Sequence, residues 1–281
     1  MDNRPIGVFD SGLGGLSVVR QLMTLMPHEN IVYFGDTGRV PYGTRSEETI
    51  RSYARDDCAF LLQHDVKMII AACGTVSSVA GDLLDTLPVP AAGVVQATAA
   101  AAVSATRQKR VGVIGTAATV HSRSFEKAIH SIDPAVAVTA VACPMFVSLV
   151  ENGWISLDDE VAIAMVRRYL RPIKEAEVDT LILGCTHFPL LAPLIQRELG
   201  DEVILIDSGR ETALRCMQQL QETDAVADTE RGGCRFFVTD RPDGFAGVAE
   251  IFLGRSVTEQ VEQVSLETFG ALQKGGSLCE H

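Results

Sequence analysis

The sequence predicts an α/β protein with parallel sheets, its pattern laid down twice along the chain. Apolar runs of strand length end at small polar clusters, as buried strands do when they deliver side chains to the carboxyl edge of an open sheet. Strand, loop, helix, strand, helix, strand and cysteine also follow one another in that order in two successive stretches. Composition agrees. The 281 residues are 47% hydrophobic but only 6% aromatic, which suits aliphatic strands covered on both faces. A chain of this length buries a full core and has room for two domains of ordinary size.

Ile6-Gly7-Val8-Phe9 reads as the first strand and Asp10 to Gly15 as a tight glycine loop. Leu16, Val19, Leu22 and Met23 then form the apolar face of a helix. Asn30 to Phe34 is a second strand ending at Gly35-Asp36, and the loop through Pro41-Tyr42-Gly43 precedes an amphipathic helix over roughly 46–64. Lys67-Met68-Ile69-Ile70-Ala71 is the third strand, leading to Ala72-Cys73-Gly74-Thr75, and a short strand near Val94 closes the stretch.

The pattern then restarts. Arg110 to Thr116 is a strand running into a loop and a helix that begins near Ser122, and Ala135 to Ala142 is another strand, ending at Cys143-Pro144. A helix around 158–176 follows, then Thr180-Leu181-Ile182-Leu183 running into Gly184-Cys185-Thr186-His187. Two units cannot stack into an array, so this is a long-period internal duplication rather than a solenoid. Glu202 to Gly209 adds a strand and loop, a helix spans 210–221, and a polar, acidic stretch runs from Gln221 to Gly233. Arg235 to Thr239 is a late strand, a C-terminal helix lies near 244–253, and Gly275 to His281 reads as a frayed end. If this tail completes the domain of the N-terminal strand, the chain crosses near residues 95 and 208. The expected domains are then 1–95 with 209–281, and 96–208.

A formal net charge of −12 argues against nucleic acid or an anionic membrane as the main partner, while an anionic small substrate needs only local donors. No stretch approaches the ~20 apolar residues of a membrane span. Met1-Asp2-Asn3-Arg4-Pro5 runs straight into a strand with no signal-peptide pattern. Seven cysteines without a C-x-x-C spacing indicate neither a disulfide framework nor a zinc site. The expectation is a reduced, cytoplasmic protein that holds no metal.

Asp10-Ser11-Gly12-Leu13-Gly14-Gly15 lacks the lysine of a P-loop and departs from G-x-G-x-x-G. It reads better as a carboxylate and a hydroxyl held at a strand end, or as a plain cap on a tight turn. A lone cysteine after a strand is more often a small buried hydrophobe, and Cys58, Cys143, Cys216, Cys234 and Cys279 stay with that reading. Cys73 and Cys185 differ, because each ends the third strand of its stretch and is followed by a hydroxyl residue, Thr75 or Thr186. Cys185 also has His187 two positions on, where an imidazole can stabilise a thiolate or pass a proton. Each companion has an ordinary alternative. His187 could cap the helix that Pro189 begins, Glu151 sits in a mixed apolar and polar loop, and Tyr42-Gly43 after Pro41 would usually be a turn.

Together these segments resemble the glutamate racemases of the cofactor-independent aspartate/glutamate racemase superfamily. The matching residues are Asp10-Ser11-Gly12 with Gly14-Gly15-Leu16, Gly35-Asp36, Pro41-Tyr42-Gly43 and Cys73 with Thr75. They continue with Ile114-Gly115-Thr116 and Thr119, Cys143-Pro144, Leu149-Val150-Glu151-Asn152-Gly153, Gly184 through Pro189 and Asp207-Ser208-Gly209, in one order from residue 6 to about 253. The resemblance implies two pseudo-symmetric, doubly wound α/β domains with mostly parallel sheets and an active site in the cleft between them. It implies a homodimer that needs no cofactor and interconverts L- and D-glutamate, supplying D-glutamate for peptidoglycan synthesis. It places the racemisation thiols on Cys73 and Cys185, and supporting acid–base groups on Asp10, Glu151 and His187. Substrate-holding positions fall on Asp10, Ser11, Pro41, Tyr42, Gly43 and Gly74 in the first stretch. In the second they fall on Thr116, Thr119, Thr186 and His187, and Thr75 completes the first set.

The chain departs from the family in two places. Gly74 stands where asparagine is usual, so a substrate-binding amide worth roughly 1.5–3 kcal/mol is missing. Gln96-Ala97-Thr98 replaces a Pro-Gly or Glu-Pro turn. Gly74 leaves open a racemase for aspartate or another amino acid, or a family member with weakened activity that binds or regulates.

The chemistry explains why two thiols would be needed. Racemisation removes the Cα proton from one face and returns one on the other. A single base would have to cross the substrate, whereas two facing thiols need not move. No lysine sits in a motif for a pyridoxal Schiff base, so electrostatics and proton placement carry the burden. One cysteine is expected as thiolate and the other as thiol, the roles swapping with substrate chirality.

Overall fold

Strands and helices alternate from the N-terminus onward in a computed structural model that describes residues 1–257 and 260–266. The first stretch runs Ile6–Asp10 (β1), Leu16–Leu25 (α1), Ile31–Gly35 (β2), Glu47–Leu62 (α2), Met68–Ala71 (β3), Gly74–Val79 (α3), Gly81–Leu84 (α4) and Ala91–Gly93 (β4). The second begins with Val94–Ala105 (α5), Arg110–Gly115 (β5), Ala117–Ser122 (α6), Ser124–Ile132 (α7) and Ala137–Ala142 (β6). It continues with Met145–Glu151 (α8), Glu160–Glu175 (α9), Thr180–Leu183 (β7), Ala192–Leu199 (α10) and Ile204–Asp207 (β8). Ser208–Glu222 (α11), Cys234–Val238 (β9), Pro242–Leu253 (α12) and Val261–Gln263 (β10) follow.

The strands form two parallel sheets. One has the order β10-β9-β2-β1-β3-β4 and the other β6-β5-β7-β8. The duplication shows in these orders, since β2-β1-β3-β4 and β6-β5-β7-β8 follow the same succession. Strands β1, β2 and β3 are buried at every position rather than alternately, because helices cover both sheet faces. Val8, Leu22, Tyr33, Ile70 and Phe236 pack in one apolar cluster, and Phe9, Phe34, Phe60, Ile69 and Phe237 in another. Phe34 stacks on Phe60 with ring centroids 4.4 Å apart. Burying each such side chain contributes roughly 1.5–3 kcal/mol.

Register puts the candidate residues together. Phe9 pairs with Ala71 across β1 and β3, so Asp10 and Cys73 emerge at neighbouring strand ends. Ile114 pairs with Leu183 across β5 and β7, which does the same for Thr116 and Cys185. Helix starts follow capping chemistry. Ser46 accepts the Thr49 N–H ahead of α2, Thr116 that of Thr119 ahead of α6, and Asp159 that of Ala162 ahead of α9. A buried ion pair, Lys67 Nζ to Glu29 Oε2 at 2.6 Å, anchors the acidic stretch. Lys67 also donates to the carbonyls of Asp2 and Ala225, and Glu29 accepts the Ala227 N–H.

Several elements differ from expectation. The helix expected near Ser122 starts at Ala117, and Arg123, with φ +54°, splits it from α7. Gln96-Ala97-Thr98, which replaces the family's turn, lies inside α5, and Glu151 ends helix α8 rather than sitting in a loop. The helix expected near 244 begins at Pro242. The expected fraying from Gly275 to His281, with Cys279, lies outside the described residues. No helix among the described residues is long and apolar enough to cross a membrane.

Candidate active site

Asp10, the last residue of β1, is only 1% exposed. Its Oδ2 accepts the Gly12 N–H at 3.0 Å, while Oδ1 is buried without a hydrogen-bond partner. Burial raises the Asp10 carboxyl above its ordinary value, against the pull of His187 and the N–H groups of Gly12 and Gly15. Cys73 caps α3 directly after β3, and its Sγ–H donates to Ser11 Oγ at 3.5 Å. Burial, reinforced by the Asp10 charge, pushes the Cys73 thiol up to about 12. Cys73 therefore rests as a protonated thiol.

The second sulfur has different company. Cys185 Sγ lies 3.8 Å from His187 Nδ1, and His187 Nε2 lies 3.0 Å from Glu151 Oε1. Burial alone would lower the imidazole, but Cys185 and Glu151 at its two nitrogens, with the Asp10 charge beyond, push it up to about 10. At neutral pH the ring is an imidazolium, donating to Glu151 through Nε2 and presenting Nδ1–H to the sulfur. The Glu151 side chain is 39% exposed, so sulfur, imidazole and carboxylate form a chain from buried site to solvent. Phe252 of α12 packs edge-on against the His187 ring, centroids 5.4 Å apart and planes at 87°.

The two stretches meet through hydroxyls and glycines. Thr75 Oγ1 lies 3.0 Å from Thr116 Oγ1, which lies 3.0 Å from Thr119 Oγ1. A Cβ built on Gly14 would come within 2.5 Å of His187 Nδ1 and closer still to Thr186 Oγ1, so only glycine lets that loop lie against the histidine. Gly43 similarly faces the Thr116 side chain. Gly14, Gly43 and Thr75 of the first stretch thus meet Thr116, Thr186 and His187 of the second. Among the described residues, no group of three or more His, Cys, Asp or Glu side chains is placed to hold a metal ion.

The profile of the Asp/Glu/hydantoin racemase family matches residues 15–216. The chain belongs to that family. It is 46% identical to the glutamate racemase of Geobacter metallireducens over 94% of this chain and 97% of that one. A glutamate racemase isoform from Bacillus anthracis superposes with a TM-score of 0.90 at 38% identity, covering 95% of this chain and 99% of that one. The glutamate racemase of Francisella tularensis, in complex with D-glutamate, superposes with a TM-score of 0.88 at 37% identity, covering 95% and 100%.

Not every expected residue presents its side chain to the cleft. The Tyr42 hydroxyl is held between Asp36 and Asp57, two buried carboxylates that Arg39 also binds. Its ring anchors the loop, Pro41 is exposed, and Gly43 is the part that faces the other stretch. The sequence pattern gives Phe252 and Gly184 no role of their own. Phe252 lies too far along the chain for any spacing to connect it with His187, and Gly184 was visible only as part of the cysteine motif.

Proposed function

We propose that this protein interconverts L- and D-glutamate by moving the Cα proton between Cys73 and Cys185. The observation that carries this reading is the unequal pairing of two sulfurs at corresponding strand ends. One is a buried thiol beside Ser11 and Asp10, the other faces an imidazolium held by Glu151. The glutamate found in the Francisella tularensis relative supports the substrate.

In one direction Cys185, as thiolate, takes the Cα proton and leaves the electron pair on the carbon. The Cys73 thiol then gives its proton to the opposite face, so the cycle ends with Cys185 as thiol and Cys73 as thiolate. The other enantiomer runs the same steps backwards. His187 and Glu151 return protons between Cys185 and solvent, and Asp10 serves Cys73. The unpartnered Asp10 Oδ1 accepts from the substrate ammonium, and the hydroxyls of Ser11, Thr75, Thr116, Thr119 and Thr186 hold its carboxylates. Burial keeps water from the carbanion and strengthens each of these contacts.

The expected domains, 1–95 with 209–281 and 96–208, are supported by sheet membership. The first sheet takes its strands from Ile6–Gly93 and Cys234–Gln263, and the second from Arg110–Asp207. The exposed apolar side chains Met145, Trp154, Leu157 and Val161 supply a surface for a homodimer. The enzyme works without a cofactor in the cytoplasm, where D-glutamate feeds peptidoglycan synthesis.

Cys73→Ser and Cys185→Ser, each followed by circular dichroism and by deuterium exchange from D- and L-glutamate, test the reading. Each variant should lose racemisation by at least about a hundredfold. Normal racemisation by both single variants would overturn it, and turnover of aspartate in preference to glutamate would correct the substrate.

A further inference from the structure

We infer that Gly74 is a closure residue: its missing side chain is what lets the two cysteine loops meet backbone to backbone. A Cβ built on Gly74 would overlap the carbonyl oxygen of Gly184, well inside any real contact, and would lie 3.4 Å from the Gly184 carbonyl carbon and 3.8 Å from Cys185 Cα. Gly74 opens helix α3 with a φ outside the left-handed region, so space, not backbone conformation, demands the glycine.

Neither loop can give way cheaply. The Gly184 N–H donates to the Ile114 carbonyl at 2.8 Å, and a Cβ on Gly184 would itself press on that oxygen and on the Phe125 ring. Gly184 is thus backed by a strand and an aromatic ring. On the other side, Ser77 fixes the Cys73 turn. Its N–H donates to the Cys73 carbonyl, its hydroxyl donates to the Ala71 carbonyl, and it accepts the Val94 N–H. A side chain at position 74 would wedge apart the loops that carry the two sulfurs. Gly74 therefore acts as a positioning residue by setting how closely Cys73 and Cys185 approach a common Cα. This role rests on the two-thiol reading above.

Gly74→Ala and Gly74→Asn test it. Both variants should turn over each enantiomer at least tenfold more slowly, with the loss mainly in kcat, and asparagine should do no better than alanine. In the ligand-free protein both thiols, now 5% and 6% exposed, should be alkylated by iodoacetamide several-fold faster than in the parent. Alkylation reports the contact whether or not glutamate is turned over, so it fails separately from the cysteine-to-serine test of the proton transfer. Should either variant not fold, the same measurements are made in a Phe125→Leu background, which gives Gly184 room to retreat. Unchanged alkylation and kcat in Gly74→Ala, higher turnover in Gly74→Asn, or loss of folding in both backgrounds would overturn the inference.

Discussion

His187 Nε2 lies 3.0 Å from Glu151 Oε1, joining the end of a seven-residue helix to the loop that carries Cys185. This pair helps push the imidazole up to about 10, against burial, so the folded protein holds the ring's proton more tightly than the unfolded chain does. The resulting stabilisation is complete below the ordinary value of 6.5 and is lost as pH rises through about 10. Glu151→Gln removes one of the raising influences. Its alkaline loss of activity should begin at lower pH than in the parent, with kcat down roughly tenfold. A pH–rate profile with an unmoved alkaline limb and unchanged kcat would count against the relay.

Gly14 holds the first stretch against the histidine of the second. Gly14→Ala places a methyl group within 2.5 Å of His187 Nδ1, where the ring is confined by Phe252 and Glu151. Overpacking of this kind costs about 1–3 kcal/mol. Urea unfolding should show that loss, and steady-state assays should show kcat reduced more than a hundredfold, because the imidazole is displaced from the sulfur.

Tyr42 is expected to matter for the loop rather than for the chemistry. Burial, with the charge of Asp36, holds the Asp57 carboxyl well above the ordinary carboxylate range, and the Tyr42 hydroxyl opposes that rise. Tyr42→Phe raises it further and leaves a buried acceptor unmatched, a destabilisation of about 1–3 kcal/mol. A carboxyl raised in the folded state gives stability at low pH that is lost as pH climbs through its folded value. The deficit should therefore shrink in acid, which denaturant midpoints at two pH values would reveal. KM should rise as Gly43 loosens.

The Lys67–Glu29 pair lies at the opposite edge of the sheet from the sulfurs, ahead of β3 and β2, with both side chains almost fully buried. Lys67→Met leaves a carboxylate uncompensated and should cost about 3–5 kcal/mol. Lys67→Met combined with Glu29→Gln should recover much of it. Below the melting temperature both variants should keep the parental kcat, since nothing in the cleft has moved. Calorimetry alongside turnover separates the two effects.

Strands were legible because continuous aliphatic runs have few other uses, and repetition of their order made the paired cysteines stand out from the other thiols. Two helices were not. Val94–Ala105 is apolar and alanine-rich on every side, so it carries no amphipathic stripe, and Met145–Glu151 is too short to establish one. That second gap hid the placement of Glu151, which reaches His187 only because a helix ends there. Tyr42 and Gly74 were opaque for a different reason. Their environments are made by Asp57 and Gly184, partners that no local spacing predicts.

The two sheets repeat their strand order but not the groups behind the sulfurs: Ser11 and Asp10 attend Cys73, whereas His187 and Glu151 attend Cys185. Mirror-image substrates have equal free energies in water, so their equilibrium constant is one and kcat/KM is the same in both directions. The unequal surroundings can show themselves only as a higher kcat for one enantiomer matched by a proportionately higher KM. An imperfect repeat thus lets the enzyme hold one hand of its substrate longer than the other, while leaving the racemic end point untouched.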